Sequence, residues 1–64
     1  MTTKEKLQYF SNHGISITYI AKLIDVNPST LTKWLNNQKG ITHKNENKVE
    51  NILKIIVEDL SSII

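Results

Sequence analysis

The segment 28–37 carries the polar side chains whose types and spacing are best suited to binding chemistry. At about 100° per residue on a helix, Ser29, Lys33 and Asn36 fall on one side, and Thr32 lies beside them. Hydroxyl and carboxamide groups make directional hydrogen bonds, and the Lys33 ammonium adds three donors and a positive charge. One side of this segment can therefore contact a partner that offers many hydrogen-bond acceptors.

No arrangement of residues in the chain is typical of catalysis. The two histidines, His13 and His43, do not stand at a metal-ligand spacing, and no Cys is present to act as a nucleophile or a zinc ligand. Glu58 and Asp59 are adjacent, so on a helix they point in different directions and form no carboxylate pair. We therefore predict that the protein is not an enzyme and uses no metal and no cofactor.

Length and composition predict one small soluble domain. Sixty-four residues allow a single domain, which we expect to span residues 1–64. The first residues are polar, unlike a signal peptide, and the longest apolar run, 55–57, is too short to cross a bilayer. With the absence of Cys, these features predict a cytoplasmic protein that does not contact a membrane.

The charge is distributed unevenly along the chain. Residues 1–48 contain seven lysines and three acidic residues, a net charge of +4, whereas residues 49–64 contain one lysine and three acidic residues, a net charge of −2. A basic N-terminal part and an acidic C-terminal part would orient the molecule so that its basic part faces a polyanion.

Four helices must position the polar segment, and we predict them at about 4–13, 17–24, 28–37 and 43–60. Their predicted N-caps are Thr3, Ser16, Asn27 and Thr42. Pro28 suits the first position of the third helix, because its missing N–H has no partner there in any case. Gly14 is the predicted left-handed residue after the first helix, and Asp25 lies in the turn between the second and third.

Apolar spacing predicts that the second and third helices pack together. The residues that would form the contact are Ile20, Ala21, Ile24, Val26, Leu31, Trp34 and Leu35. Ala21 provides a small residue where the axes cross, and Val26 would point inward from the turn. Trp34 shares its side of the helix with Leu31 and Leu35, which favours a core position over stacking on an exposed base.

This spacing resembles the helix-turn-helix of the phage repressor and Cro class of bacterial regulators. The resemblance rests on Ala21, on the apolar positions around it and on the sequence STLTKWLN within the third helix. It covers about residues 3–60 and departs from the family at three positions. Asp25 stands where Gly is common in the turn, Ile17 where Gln often opens the second helix, and Pro28 where a polar base-contacting residue is frequent.

The resemblance implies an all-α, lambda-repressor-like fold and sequence-specific binding of double-stranded DNA by a repressor-like transcriptional regulator. The third helix would enter the major groove and contact base edges with Ser29, Thr32 and Lys33. Residues expected to contact phosphates are Thr18, Tyr19, Asn27, Asn36, Asn37 and Lys39. The chain has no Arg, so Lys33 would be the residue that contacts guanine. For each of these residues, the alternative interpretation is an ordinary solvated side chain.

The fourth predicted helix has a wide apolar stripe, which favours a homodimer. The residues assigned to the dimer interface are Ile55, Val57, Leu60, Ile63 and Ile64. The stripe could instead close a small core or contact a downstream domain of a longer protein. A second function also stays open, because the same scaffold could bind a partner regulator protein, as an antirepressor does.

Overall fold

The protein is described by a computed structural model that covers residues 1–63, with side chains described through Ser61. It contains four helices: α1 (Thr3–Asn12), α2 (Ile17–Leu23), α3 (Pro28–Leu35) and α4 (His43–Ile63). The described residues contain no β-strand. The prediction of an all-α domain with four helices is confirmed. Within the described residues, no helix is both long and apolar enough to span a membrane.

Three of the four predicted N-caps are confirmed, and they fix where α2, α3 and α4 begin. The side-chain oxygens of Ser16, Asn27 and Thr42 each accept a hydrogen bond from a backbone N–H of the first turn, at 2.9–3.2 Å. Pro28 follows Asn27 at the start of α3, as predicted. Capping of this kind depends only on neighbouring residues, so it can be predicted from the sequence.

The predicted N-cap of α1, Thr3, is wrong, because Thr2 occupies that position. Its hydroxyl accepts from the Glu5 N–H at 3.1 Å, and the Glu5 carboxylate accepts from the Thr2 N–H at 3.0 Å. This reciprocal pair is a capping box, which needs an acid or amide three residues after the cap. Thr3 has Lys6 at that position and so cannot form one.

Three helices end in the same hydrogen-bonding pattern, a Schellman motif with a left-handed residue just after the helix. These residues are Gly14 (φ 94°), Asp25 (φ 58°) and Asn37 (φ 61°). In each motif, two backbone N–H groups bond back to the last turn, as with Val26 N–H to Ala21 O at 2.9 Å. The sequence predicted a left-handed Gly14, and it placed Asp25 at the turn position where Gly is common; the left-handed Asn37 was not predicted.

The helix ends therefore differ slightly from the predicted ones. The helices α1 and α2 end one residue early, at Asn12 and Leu23, and α3 ends at Leu35 because the left-handed Asn37 stops it. In contrast, α4 continues past the predicted end at residue 60 to Ile63, since residues 61–63 contain no Gly or Pro to break it.

The core lies where α1 and α2 meet the other two helices, because α3 and α4 each pack on both. The buried residues are Leu7, Ile20, Ala21, Leu31, Trp34, Val49 and Leu53. Ala21 is fully buried and Trp34 is only 7% exposed, as their predicted roles require. Val26 and Phe10 lie half-buried at the edge of this core. The side of α3 that carries Leu31 and Trp34 is thus buried in the core.

Candidate functional site

The outer side of α3 is exposed along the length of the helix. Leu31 and Trp34 face the core, while the intervening polar side chains face solvent. The exposed polar side chains are Ser29, Thr32, Lys33 and Asn36. The structure thus brings the three predicted base-contacting residues together on one open surface, which we call the α3 face.

The two hydroxyl groups on the α3 face already donate hydrogen bonds to their own helix. Ser29 Oγ donates to Asn27 Oδ1 at 2.9 Å, and Thr32 Oγ1 donates to the Pro28 carbonyl at 3.1 Å. Their oxygen lone pairs remain able to accept a hydrogen bond. In this conformation both hydroxyls are therefore acceptors toward a ligand, and the Thr32 methyl group adds a small apolar contact.

Lys33 is the cation at the centre of the α3 face. Among the described residues, its ammonium takes part in no hydrogen bond or ion pair. Residues 26–45 include Lys33, Lys39 and Lys44 but no Asp or Glu, so no carboxylate within this segment competes for them. The α3 face can accordingly offer an uncompensated positive charge to an anionic partner.

Around α3, the predicted phosphate-contacting residues occupy different local settings. Asn27 uses its side-chain oxygen as the N-cap, which leaves its amide N–H groups as donors. Asn36 closes α3 as its C-cap, and Lys39 is exposed in the connection to α4. All three are exposed and lie at the two ends of α3.

Asn37 is joined to the first turn of α1. Its side-chain oxygen accepts a hydrogen bond from the Lys4 ammonium. Lys4 therefore belongs to the same surface, although it was not among the residues predicted to contact phosphates. The two residues are 33 positions apart, and no local pattern indicates that α1 packs beside the end of α3. Only the tertiary structure shows this contact.

Thr18 and Tyr19 are both exposed in the first turn of α2, which packs against α3. The Tyr19 N–H already donates to Ser16 Oγ at 3.2 Å, so this amide is not available to an anion. The Tyr19 side chain is 56% exposed, and its phenol can donate a hydrogen bond. If Tyr19 contacts a phosphate, the contact must therefore come from its side chain.

Among the predicted dimer residues that the structure describes, Ile55 lies on a different side of α4 from Val57 and Leu60. Ile55, Val57 and Leu60 are each about half exposed, but Ile55 and Val57 lie about 160° apart around α4. Ile55 borders a groove with Leu23, whereas Val57 borders one with Phe10. Leu60 lies in a third groove, beside Ile15 and Tyr19. Ile64 and the side chain of Ile63 are outside the described part of the chain.

Comparisons of the chain with protein-family models, with curated proteins and with solved structures found no match. Among the described residues, no group of three or more His, Cys, Asp or Glu side chains is arranged to hold a metal ion. The geometry and charge of the α3 face are therefore the features that indicate a function.

Proposed function

We propose that this protein binds double-stranded DNA in the major groove through the α3 face and regulates transcription by occupying its site. The observation that carries this proposal is the division of α3 into two sides. Ser29, Thr32 and Lys33 are open to solvent, while Trp34 and Leu31 anchor the helix from behind. A helix fixed in this way can enter the major groove without disturbing the core.

The chemistry of the α3 face matches what base edges offer. A lysine ammonium donates to guanine O6 and N7, and hydroxyl oxygens accept from the amino groups of adenine or cytosine. The Thr32 methyl group can contact a thymine methyl. Side chains at the ends of α3 supply donors for phosphate oxygens, which fix the orientation of the helix in the groove. As a bacterial-type regulator, the protein would act in the cytoplasm, where the DNA is.

The test begins with selection of bound fragments from a pool of random DNA duplexes, followed by a titration of the selected duplex. We expect Lys33→Ala to weaken binding by about 1–3 kcal/mol, because one base contact and one charge are lost. Lys54→Ala provides the matched control, since it removes the same charge from an exposed position on α4. Binding should also weaken steeply with added salt, as counterion release requires.

Two results would contradict the proposal. The first is a folded wild-type protein that selects no duplex even at low salt. The second is a Lys33→Ala variant that binds the selected duplex with the affinity of the wild type. Circular dichroism on each variant shows whether the helices are retained, so a loss of binding can be separated from unfolding.

A protein-interaction role is the second candidate, and the engaged hydroxyls favour it. Because Ser29 and Thr32 donate to their own helix, Lys33 and Asn36 are the only donors left on the α3 face of the described structure. Such a surface could bind an acidic partner regulator, as an antirepressor would. Salt separates the candidates, since binding to a folded protein depends on it less steeply than binding to several phosphates.

A further inference from the structure

We infer that Lys4 and Asn37 together form a phosphate-binding clamp at the junction of α1 and α3, in which Lys4 also orients the Asn37 amide. The inference rests on the proposed function, because the phosphate would belong to the backbone of the bound duplex. Lys4, on α1, is not part of the α3 face. We assign it two roles: its ammonium contacts the phosphate, and it holds the Asn37 amide in the orientation that binds the phosphate.

The backbone at Asn37 is held firmly relative to Lys33. Asn37 N–H donates to the Trp34 carbonyl at 3.1 Å, and Gln38 N–H donates to the Lys33 carbonyl at 2.8 Å. Together with φ of 61°, these bonds fix the point from which the Asn37 side chain leaves the chain. The Cα of Asn37 is therefore held at a fixed position beyond the end of the α3 face.

The contact with Lys4 decides which end of the Asn37 amide is presented to a ligand. An ammonium group has donors only, so the atom that it contacts must be the carboxamide oxygen. The amide nitrogen and its two N–H groups then remain for another partner, and no described residue accepts from them. Without Lys4, the amide could rotate and present its oxygen, which a phosphate would repel.

The charge around the pair also suits an anion. The nearest acidic residue in sequence, Glu5, directs its carboxylate to the Thr2 N–H at 3.0 Å, where it is held by the α1 cap. Lys39 is exposed two residues after Asn37. The remaining ammonium N–H groups of Lys4 and the amide N–H groups of Asn37 are all donors, and phosphate oxygens are all acceptors.

The experiment measures binding of the selected duplex at several salt concentrations for Lys4→Met, Asn37→Gly and the double variant. Glycine adopts a φ of 61° without strain, so Asn37→Gly removes the amide while preserving the turn. We expect each single change to weaken binding about three- to tenfold. Lys4→Met should also reduce the slope of log affinity against log salt by about 0.9.

The double variant tests the positioning role. If Lys4 orients the amide, then Asn37→Gly should cost less than about twofold once Lys4 is replaced, because an unheld amide is already a poor donor. Lys54→Met controls for the loss of one positive charge, and it should leave the contribution of Asn37 unchanged. The side-chain amide resonances of Asn37 should shift when duplex is added to the wild type.

The outcomes separate the clamp from the function on which it rests. Wild-type protein that binds no duplex would overturn both. Wild-type protein that binds, with Lys4→Met keeping its affinity and salt slope, would overturn the clamp alone. Two single effects that simply add in the double variant would leave both residues at the phosphate but refute the orienting role of Lys4.

Discussion

Asp25 and Asn37 adopt a left-handed backbone conformation that glycine adopts with less strain. Both follow a helix with positive φ, at 58° and 61°, where an L-residue is strained and Asn or Asp is among the least penalised. Gly14 occupies the equivalent place after α1. The turns before and after α3 are thus set by two polar residues. Substitution of Asp25 should report directly on backbone strain, because the Asn37 side chain also contacts Lys4.

We predict that Asp25→Gly raises the free energy of unfolding by roughly 0.5–1 kcal/mol, while Asp25→Ala lowers it by about 1 kcal/mol. The glycine relieves the strained φ; the alanine keeps the strain and removes the polar side chain. Urea unfolding followed by circular dichroism measures both changes. Because Asp25 is exposed and its side chain has no hydrogen-bond partner in the described structure, no lost contact should complicate the comparison. Equal stabilities for the two variants would refute the strain argument.

At the scale of elements, Glu50 joins α4 to α1. Its carboxylate accepts from the Lys6 ammonium at 2.6 Å and from Thr3 Oγ1 at 3.0 Å. These hydrogen bonds, the one from Lys6 foremost, hold the pKa of Glu50 below the ordinary value of 4.5. A carboxyl group whose pKa is lowered on folding stabilises the fold fully above its unfolded pKa, and that stabilisation is lost as the pH falls through the folded pKa.

We therefore predict that the thermal midpoint falls as the pH is lowered below about 4.5, and that Glu50→Gln makes this fall shallower. Glu46→Gln is the matched control on the same helix, since the Glu46 carboxylate makes no hydrogen bond or ion pair with a described residue. The pKa of Glu5 is also lowered, through its hydrogen bonds to Thr2. Glu5 therefore contributes to the pH dependence of the thermal midpoint in both variants. An unchanged slope in Glu50→Gln would show that the contact between α1 and α4 does not form in solution.

How much of each element the sequence predicts depends on how local its determinants are. The starts of α2, α3 and α4 follow from Ser16, Asn27 and Thr42, because a cap involves residues only two or three apart. The early end of α3 was missed, since nothing nearby distinguishes a left-handed Asn37 from a helical one.

Contacts between distant elements were not predictable from spacing. In contrast, the α3 face was predictable from the sequence, because it depends only on the helical period and on the apolar residues on the opposite side of the helix. Lys4 beside Asn37 and Glu50 beside Lys6 connect residues 33 and 44 positions apart. The division of the dimer residues among three grooves also needed the tertiary structure, because it depends on which helices flank each side of α4.

On the scale of the whole molecule, α4 extends beyond the core. Among the side chains described through Ser61, the last buried residue of α4 is Leu53, while Val57 and Leu60 continue along the same side of the helix, each about half exposed. These two residues are three apart and so are neighbours on the helix surface. In contrast, Ile55 lies toward α2, near Leu23. If two copies pair through α4, the edge formed by Val57 and Leu60 is the part of the predicted interface that can act as a unit.

We predict that the wild-type protein is a dimer, that Val57→Lys makes it monomeric, and that Ile55→Lys does not. Both substitutions place the same charge at a position of nearly equal exposure, 47% and 50%, so any difference reports on the side of α4 rather than on solubility. Sedimentation equilibrium at high micromolar concentration, with and without the selected duplex, gives the mass of each. A dimer would place two α3 helices one duplex turn apart, about 34 Å, so Val57→Lys should also lose the preference for an inverted repeat. A monomeric wild type under both conditions, or equal disruption by the two lysines, would reject this interface, because only the side of α4 that carries Val57 and Leu60 should form the contact.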